Sequence, residues 1–517
     1  MNVANFLSIP SSLFPDQEII VSGEVRLTYG QCLERVRRLA TALGRLGLGV
    51  GERIAALETN SHQYVEAFYA TATIGGVFVP LNYRAKIAEL EHMITAAGVK
   101  ALFVGERYLD TVMQLRPRLP SVQTYVGFER SAGSFLGYED LIAGAEPIEE
   151  EAAVEEDETA ILMYTSGTTA LPKGVMLTHN DFTVYVCGTV EMADGTPRGT
   201  ALLCAPLYHI AAAANIMTTL FGGRRLVILR QFEPRQWIEA VERERVTHTF
   251  VVPTMLKQLL DQPDLASRDL GSLEVLAYGG AAMPLSVIRR AIDLFPPSVG
   301  FVNAFGQTET TSTVAILGPE DHRLSGTKEE VELKLRRLQS IGRPLPDVEM
   351  RVFDEEGNEL PPGQVGELAV RTPRLMKGYA TKEGTSSALR EGWLPTRDMG
   401  WIDDDGYVFL AGRRDDMIIR GGENIAPAEV ESVIQAHPAV EEVVVIGVPD
   451  VDWGQKVAAV VVPRAGTRPR ADELIEYCRQ RLSSFKKPEA VHFVDALPRN
   501  ELGKVLRREL RKQYGGA

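Results

Sequence analysis

The sequence predicts an α/β protein: a large N-terminal domain of mixed parallel sheets with flanking helices and a small β-rich subdomain, then a small α+β domain. At 517 residues the chain is too long for one hydrophobic core, so two or more domains are expected. Over roughly the first 400 residues, short β-branched runs alternate with amphipathic helical stretches, which is typical of βαβ units. From about residue 340 short alternating strands and turn signals predict the β-rich part.

The alternation is clearest in the middle of the chain. Strands are predicted at 225–230, 248–253, 273–280 and 299–306, and helices at 233–246, 254–262 and 284–295. This order predicts a parallel or mixed sheet covered by helices. Because ligands of such sheets bind beyond the carboxyl ends of the strands, the site is expected at "TSGTT", "GGAAM" and "GQTET".

The domain boundary is predicted from the change in the strand and turn pattern after residue 340 and from the segment "GRRDDMIIRGGENI". We expect an N-terminal domain over 1–412, with the β-rich subdomain at 340–410, and a C-terminal domain over 413–517. The last segment carries a helical run, two strands, a second helix and a basic tail, which together predict an α+β fold.

Composition and charge exclude several classes of protein. A formal net charge of -14 disfavours a nucleic-acid binder, which needs a basic face. The four cysteines form no CxxC pair and the eight histidines no HxxxH spacing, so no metal or disulfide framework is predicted. The N-terminus has no basic n-region, and no window approaches 18 uninterrupted apolar residues. We therefore expect neither a secretory signal nor a transmembrane segment, and a cytoplasmic location.

Residues 164–175, "YTSGTTALPKGV", are dense in groups that bind anions. The candidate ligands around the flexible Gly167 are Thr165, Ser166, Thr168, Thr169 and Lys173. A Walker A loop is excluded because Pro172 precedes the lysine and Gly174 follows it, which leaves no hydroxyl for Mg²⁺. The alternative is a polar turn between strand "AILMY" and helix "NDFTVYVCGTVEM", capped by Asn180 or Asp181. The hydroxyl density favours a loop that binds a triphosphate.

Six ordered stretches resemble the acyl-activating, adenylate-forming superfamily. They are "YTSGTTALPKGV", "AYGGAAMP", "NAFGQTET", "GWLPTRDMG", "GRRDDMIIRGGENIAPAEVE" and "PRNELGKVLR". The resemblance covers nearly the whole chain and points to the acyl-CoA synthetase or fatty-acid–CoA ligase branch. It implies that a carboxylic acid and ATP give acyl-AMP and pyrophosphate, and that the thiol of coenzyme A then attacks the acyl-adenylate. It also implies Mg²⁺ as a cofactor.

The resemblance assigns a nucleotide site. Glu309 matches the Mg²⁺ ligand, and Thr308 matches a contact to the α-phosphate. Phe305 matches the aromatic residue that stacks on adenine, while Asp398 matches the acceptor of the ribose hydroxyls and Arg413 its support. The full set of expected ATP- and AMP-binding residues is Thr165, Ser166, Gly167, Thr168, Thr169, Lys173, Gly280, Ala281, Ala282, Asn303, Phe305, Gly306, Gln307, Asp398 and Arg413.

The C-terminal segment carries the remaining implied roles. Lys504, in "ELGKVLR", matches the catalytic lysine that bridges the acyl carboxylate and the α-phosphate. Asp415 matches the hinge about which the small domain rotates, so that domain is expected to be mobile. Gly421, Gly422 and Glu423 match the stretch that binds coenzyme A, where side chains would block the pantetheine tunnel.

Residues 205–223, "APLYHIAAAANIMTTLFGG", match the segment that lines the acyl site. The resemblance places His209 at the position that gates the site or meets the carboxylate, and it is counted among the catalytic residues. The expected acyl-pocket residues are His209, Ala213, Thr254 and Gly279. The run of alanines before Asn215 fits either a roomy pocket for a bulky or long apolar acid or close helix packing. The sequence leaves both open.

The substrate is expected to be a medium- or long-chain fatty acid or another hydrophobic acid, aromatic or alicyclic. No Asp or Glu lies between Gly195 and Glu233, so an amino-acid ammonium would lack a partner there. Three alternatives remain: a ligase that passes the acyl group to a carrier protein, a luciferase-like oxygenase, and a catalytically inactive nucleotide-binding homologue. A homodimer is left open.

Two residues depart from the resemblance. The superfamily usually has glycine at the position of Ala170, after the paired hydroxyls of the loop. It often has glycine before the ribose-binding aspartate, where this chain has Arg397. If the backbone at position 170 needs a positive φ, alanine there costs about 1 kcal/mol.

Overall fold

The computed structural model describes residues 1–129, 133–165, 171–381, 389–421, 423–499 and 505–515, without the side chain of Asn424. The chain divides into two compact units. Unit one comprises Met1–Ser325, Pro344–Val348 and Arg371–Glu391, and unit two comprises Gly326–Arg343, Glu349–Val370 and Gly392–Ala517. The four strands β17 (Glu349–Phe353), β18 (Gly366–Arg371), β20 (Leu394–Ile402) and β21 (Val408–Arg413) of the β-rich segment fall mainly in unit two with the C-terminal segment, whereas Pro344–Val348 and Arg371–Glu391 of that segment fall in unit one. The boundary at 412–413 remains a prediction.

Unit one alternates strands and helices. Its helices are α1 (Asn5–Leu13), α2 (Tyr29–Arg45), α3 (His62–Thr73), α4 (Ile87–Ala97), α5 (Leu109–Leu115), α6 (Tyr138–Ala143), α7 (His179–Thr189), α8 (Ile210–Phe221), α9 (Pro234–Glu244), α10 (Pro253–Leu260), α11 (Leu285–Leu294) and α12 (Pro319–His322). Its strands are β1 (Glu18–Ser22), β2 (Val25–Thr28), β3 (Arg53–Leu57), β4 (Val77–Pro80), β5 (Ala101–Val104), β6 (Thr124–Gly127), β7 (Leu136–Gly137), β8 (Thr159–Thr165), β9 (Lys173–Thr178), β10 (Thr200–Leu203), β11 (Arg225–Ile228), β12 (His248–Val251), β13 (Val275–Gly279), β14 (Gly300–Gln307), β15 (Ser312–Leu317), β16 (Arg343–Pro344) and, later in the chain, β19 (Gly378–Tyr379).

Unit two has shorter helices and longer strands. Its helices are α13 (Lys328–Arg337), α14 (Pro427–Gln435), α15 (Ala471–Arg479) and α16 (Arg507–Tyr514). Its strands are β17 (Glu349–Phe353), β18 (Gly366–Arg371), β20 (Leu394–Ile402), β21 (Val408–Arg413), β22 (Ile418–Arg420), β23 (Glu423–Ile425), β24 (Val440–Asp450), β25 (Gly454–Pro463) and β26 (Ala490–Phe493). Short 3₁₀ turns in the chain lie at Glu106–Tyr108, Arg116–Arg118, Leu265–Ser267, Thr308–Thr310 and Arg414–Asp416.

Two mixed sheets form unit one. The first has the order β16-β15-β14-β13-β12-β10-β11-β1-β2, and the pairs from β14 through β1 are parallel. The second has the order β19-β9-β8-β4-β3-β5-β6-β7, with parallel pairs from β8 through β7 and an antiparallel β8–β9 hairpin. The helices between consecutive strands provide the crossovers that parallel pairs require. The first sheet's parallel strand ends place the predicted site residues together.

Unit two holds the antiparallel and α+β parts. Strands β17, β18, β20 and β21 form a four-stranded sheet in that order, and β24, β25 and β26 form a second sheet. The core around β24 and β25 is made of β-branched residues such as Val445 and Val461, which are fully buried and pack beneath α14 and α15. This composition is what strands buried on both faces favour.

The sequence predicted the central elements closely. All four strands and all three helices expected between residues 225 and 306 are present, as β11 to β14 and α9 to α11. The strand β9 was not predicted, because the sequence analysis placed a helix directly after the loop. That helix, α7, is capped by Thr178, which accepts from the Asp181 N–H in a capping box, and not by Asn180 or Asp181.

In the described ranges, no helix combines the length and apolar character that crossing a bilayer would need.

Candidate active site

Neighbouring parallel strands of the first sheet end at one edge, and several predicted residues lie there. Thr254 follows β12 in the first turn of α10, Gly279 ends β13, and Thr308 follows β14. His209 lies between β10 and α8, at the N-cap position. Because β10, β12, β13 and β14 are neighbours, their carboxyl ends meet at this edge. The structure therefore gathers the strand-end candidates as the sequence predicted.

The last residues of β14 and the first residue after it are partly accessible at this edge. Asn303, Phe305, Gln307 and Thr308 are each half-buried, so an aromatic ring and polar groups are partly accessible beside one another. Gly280 and Ala282 are exposed beyond the end of β13, and Ala281 is half-buried. On α8, Ala213 is buried at 9% exposure.

Two of the predicted site glycines, Gly279 and Gly306, are explained by packing within the sheet and not by the approach of a ligand. A Cβ at Gly279 would lie 2.2 Å from the Ala304 carbonyl oxygen on β14. A Cβ at Gly306 would lie 1.9 Å from the Ser312 carbonyl oxygen. Both glycines are therefore required by the close approach of backbone to backbone within the sheet.

A tight turn follows β14 and carries Glu309. Thr311 and Ser312 have φ values of 50° and 79°, in the left-handed region that non-glycine residues rarely adopt. The hydroxyl of Thr310 donates to the Ser312 carbonyl at 3.0 Å and accepts from the Gln307 N–H at 3.1 Å. The turn reverses the chain into β15, which pairs antiparallel with β14.

Glu309 is held from a second segment of unit one. Its Oε1 accepts from the Tyr379 hydroxyl at 2.9 Å, and its carbonyl oxygen accepts from the Met376 N–H at 2.9 Å. The Tyr379 ring also lies beneath Lys173, with Nζ 5.5 Å from the ring centroid. Because Tyr379 contacts both residues, one aromatic side chain joins a carboxylate and an ammonium group at the strand ends.

The sequence reading missed the residues that support this turn. The guanidinium of Arg374 is 1% exposed and contacts the Asp347 carboxylate at 2.7 Å. It donates to the carbonyls of Thr310 and Thr313, both at 2.8 Å. The only local signal was the stretch "TPRLMKGYA", in which a charged residue sits among apolar ones.

His209 is neutral at physiological pH. Burial, with a smaller contribution from the charge of Arg84, lowers the pKa of its imidazole to about 3. Its Nε2 is buried without a hydrogen-bond partner among the described residues. The Asn60 side chain holds the preceding loop, donating to the Ala205 carbonyl at 3.0 Å and accepting from the Leu207 N–H at 3.0 Å. His209 can therefore exchange a hydrogen bond with a ligand but not neutralise its charge.

The predicted phosphate loop lies in the β8–β9 hairpin. Thr165 and Lys173 are half-buried and pair across the hairpin. Ser166, Gly167, Thr168 and Thr169 lie outside the described residues, as does Ala170. Gly422 and Lys504 lie outside them as well. The assignments of these residues remain predictions.

In unit two, Asp398 and Arg413 are paired. They are partners in the β20–β21 ladder, and Arg413 Nε lies 2.9 Å from Asp398 Oδ1. The Thr396 hydroxyl accepts from the Asp398 N–H at 3.1 Å, and the Thr396 carbonyl accepts from Arg413 Nη1 at 3.0 Å. Asp398 is 6% exposed. The predicted support of Asp398 by Arg413 is thus present as a contact.

The neighbouring Arg397 adopts φ 63°, in the left-handed region. This explains why glycine is common at this position in the superfamily, since glycine reaches that conformation without a steric penalty. The Arg397 guanidinium extends to the predicted hinge residue, with Nη2 3.8 Å from Asp415 Oδ1.

Around the hinge, the basic tail has specific partners. Arg507 Nη1 lies 2.7 Å from Glu431 Oε1, and Arg511 Nη2 lies 2.6 Å from Asp416 Oδ1. The helix α16 is thereby attached beside Asp415.

Further along, Gly421 has φ 58°, and a Cβ there would lie 2.8 Å from the Trp453 ring. Glu423 is exposed on β23. The roles of these two residues toward coenzyme A remain predictions.

The residues present fit a single Mg²⁺ ion. No group of three or more His, Cys, Asp or Glu side chains in the described ranges is arranged as a metal cage. Mg²⁺ bound with a nucleotide uses one or two carboxylates, phosphate oxygens and water, so Glu309 alone suffices as the protein ligand. Its hydrogen bond from Tyr379 orients one oxygen and fits that role.

Comparison with known proteins identifies the class. Residues 11–380 match the family described as AMP-binding enzyme, and residues 429–504 match the AMP-binding enzyme C-terminal domain. The chain therefore belongs to the adenylate-forming AMP-binding enzymes, in their acyl-CoA synthetase branch. It is an AMP-forming ligase, which confirms the sequence prediction.

Individual relatives match along nearly the whole chain. A feruloyl-CoA synthase from an Amycolatopsis species is 37% identical over 504 residues, covering 97% of this chain and 96% of the relative. The long-chain-fatty-acid–CoA ligase FadD13 of Mycobacterium tuberculosis is 33% identical over 499 residues, covering 95% and 94%. The structure of ATP-bound MatB from Rhodopseudomonas palustris has a TM-score of 0.88 at 31% identity, covering 100% and 99%. This similarity confirms the predicted fold class.

Proposed function

We propose that the protein is an ATP- and Mg²⁺-dependent acyl-CoA synthetase. A hydrophobic carboxylic acid attacks the α-phosphate of ATP, giving acyl-AMP and pyrophosphate, and the thiol of coenzyme A then displaces AMP to give the thioester. The observation that carries the proposal is that Tyr379 contacts both Glu309 and Lys173 at the strand ends. Its hydroxyl donates to the Glu309 carboxylate, and its ring lies against the Lys173 ammonium group. A carboxylate that meets a metal ion beside a lysine ammonium suits a triphosphate, which needs charge neutralisation and alignment.

The proposed roles follow from the charges of the residues. Lys173 and the loop 165–169 hold the β- and γ-phosphates, and Glu309 holds the Mg²⁺ ion. Bound Mg²⁺ neutralises phosphate charge and aligns the phosphate oxygens. Thr308 donates to an α-phosphate oxygen, and Phe305 stacks on adenine. Asp398, with Arg413, accepts the ribose hydroxyls.

The acyl carboxylate needs a cation that His209 does not supply. Because the pKa of its imidazole lies at about 3, His209 is uncharged at pH 7 and offers only a hydrogen bond. We therefore assign the bridging charge between acyl carboxylate and α-phosphate to Lys504. Rotation about Asp415 then brings Gly421, Gly422 and Glu423 to coenzyme A for the second half-reaction.

The acid is proposed to be aromatic or long-chain, as the relatives' names suggest. The side chain of Asn215 on α8 supports one of these classes over the other. Asn215 Oδ1 is buried without a hydrogen-bond partner in the described part of the chain. A buried acceptor without a partner favours a ligand that carries a donor, such as a ring hydroxyl. This favours a hydroxylated aromatic acid over a saturated fatty acid.

The function is tested with the full chain, ATP, Mg²⁺ and a panel of acids. Ferulic acid, cinnamic acid and fatty acids of graded length are compared for acid-dependent pyrophosphate exchange and for CoA-thioester formation. Exchange without CoA-dependent AMP release would support transfer to a carrier protein instead. No exchange with any acid would support an inactive nucleotide-binding homologue and contradict the proposal.

Lys504→Ala separates the two half-reactions. Loss of the bridging charge should lower pyrophosphate exchange by about 10²- to 10³-fold, by analogy with lost oxyanion donors, while thioester formation from supplied acyl-AMP persists. Lys512→Ala is the matched control, since Lys512 is an exposed lysine on the same basic tail. Equal loss of both half-reactions in Lys504→Ala would contradict the assigned role.

A further inference from the structure

We propose that Arg374 is a positioning residue that fixes the Glu309 carboxylate and so sets the affinity of the protein for the metal–ATP complex. It acts through the segment 374–380, which we call the strap. The inference deepens the proposed function and rests on the assignment of Glu309 as the metal ligand. Arg374 itself touches neither metal nor nucleotide in this proposal.

The turn that carries Glu309 cannot hold its shape by local preference. Thr311 and Ser312 are successive residues with positive φ, and this left-handed conformation is unfavourable for every residue except glycine. Thr311 is β-branched, which makes the conformation especially unfavourable. Such strain persists only where the surrounding structure over-determines it. A stabilising contact outside the turn is therefore required.

Arg374 provides that contact. One edge of its guanidinium donates to Asp347, from Nε at 2.7 Å and from Nη2 at 3.4 Å. Nη1 donates to the Thr310 carbonyl, and Nη2 also donates to the Thr313 carbonyl, so the two carbonyls that flank the strained residues are both bound. The Thr311 hydroxyl donates back to the Arg374 carbonyl at 2.9 Å. Arg374 thus binds both ends of the strained turn at once.

The strap connects Arg374 to the Glu309 carboxylate and to β9. Met376 donates its N–H to the Glu309 carbonyl, and the Tyr379 hydroxyl donates to Glu309 Oε1, both at 2.9 Å. Gly378 and Tyr379 form β19, which pairs with Met176 and Val175 of β9. The strap therefore connects the metal carboxylate to the strand that begins at Lys173, and it sets the spacing between the two charges.

Only a planar fork can make all these contacts. Lysine keeps the buried charge but offers a single nitrogen, which cannot reach two carbonyls and a carboxylate in this geometry. We therefore expect that in Arg374→Lys the Glu309 carboxylate is no longer held in one position, while the unit still folds. The effect should resemble loss of a residue that orients a metal ligand, which typically lowers metal affinity by about 10- to 100-fold.

The test measures Mn²⁺ binding to the full chain with a non-hydrolysable ATP analogue, by EPR, beside the melting temperature. Arg374→Lys should weaken Mn²⁺ binding at least about tenfold. Arg35→Lys is the matched control. Arg35, on α2, forms a two-pronged ion pair with the buried Glu66, with Nε 2.8 Å from Oε1. The described structure shows no contact between Arg35 and the turn. It should lower the melting temperature and leave Mn²⁺ affinity unchanged. The Michaelis constant for the acid should be unaffected in both.

A second variant keeps the test decisive if Arg374→Lys does not fold. Tyr379→Phe removes only the hydroxyl that binds Glu309 and should weaken Mn²⁺ binding by about tenfold. Glu309→Gln separates the two proposals. If it leaves Mn²⁺ affinity unchanged, the metal role of Glu309 fails. If it weakens binding while Arg374→Lys and Tyr379→Phe match the wild type, the positioning inference alone is overturned.

Discussion

Two short segments place a non-glycine residue in the left-handed region beside a predicted ligand-binding carboxylate, and they hold that strain in different ways. In unit one, Thr311 and Ser312 follow Glu309 and are bracketed by the buried guanidinium of Arg374. In unit two, Arg397 precedes Asp398, and its guanidinium lies 3.8 Å from the half-exposed carboxylate of Asp415. The first conformation is fixed by a buried network, and the second by a ladder and a solvent-exposed pair.

The difference indicates which position the fold must keep rigid. A buried, fully hydrogen-bonded ion fixes one geometry, because every alternative leaves polar groups unpaired in a low-dielectric interior. An exposed pair contributes about 0–1 kcal/mol and imposes little geometry. The turn at Glu309 is thus built to stay in place, while the exposed Arg397–Asp415 pair imposes little geometry on its segment. This contrast gives three predictions of decreasing size.

The largest effect is expected from Asp347→Ala. Arg374 would remain buried with its charge uncompensated, which costs about 3 kcal/mol, at the lower end of the usual range because the lost partner Asp347 is itself 35% exposed. The melting temperature should fall by roughly 4 °C for a unit of this size, measured by calorimetry.

Asp269→Ala is the control, because Asp269 forms a pair with Arg245 in which both side chains are more than half exposed. It should cost less than about 1 kcal/mol. If Asp347→Ala lowered the melting temperature no more than this control, the buried network would not be what holds the turn.

The sequence revealed the elements of unit one more readily than their supports. The alternation of strand-like and helix-like apolar patterns predicted β11 to β14, because the apolar residues of each element recur with the spacing of its buried face. The strand β9 was missed because its first residues, Lys173 and Gly174, read as the end of a loop.

Arg374 and Asp347 were missed for a different reason. They lie 27 residues apart in separate loops, and single charges in loops normally face solvent. Their pairing is a tertiary event, and the local pattern around Arg374 does not indicate its partner. Arg397, in contrast, had a sequence signal, the glycine usual in the superfamily, whose backbone reason is now visible.

An intermediate effect is expected from Arg397→Gly. Glycine removes the left-handed penalty of roughly 1–2 kcal/mol but increases the entropy of the unfolded chain by about 0.4–1 kcal/mol. The free energy of unfolding of unit two should therefore rise by up to about 1.6 kcal/mol, measured by urea denaturation.

Arg397→Ala provides the control for the side chain. Alanine keeps the backbone penalty and loses the contact to Asp415, so it should not stabilise unit two. Stabilisation of equal size in both variants would show that the side chain, not the backbone, is the unfavourable group.

The smallest effect is the salt dependence of the two ion pairs. Double-mutant cycles use Arg397→Gln with Asp415→Asn, and Arg374→Met with Asp347→Asn, each in about 0.1 M and 1 M NaCl. The Debye length falls from about 10 Å to 3 Å between these conditions, so the exposed pair should lose most of its coupling, which is at most about 1 kcal/mol. The Arg374–Asp347 pair should keep more of its coupling, because its guanidinium is 1% exposed, although its carboxylate is 35% exposed. Equal salt sensitivity of the two couplings would remove the contrast between a fixed turn and a loose one, since both pairs would then be screened by solvent.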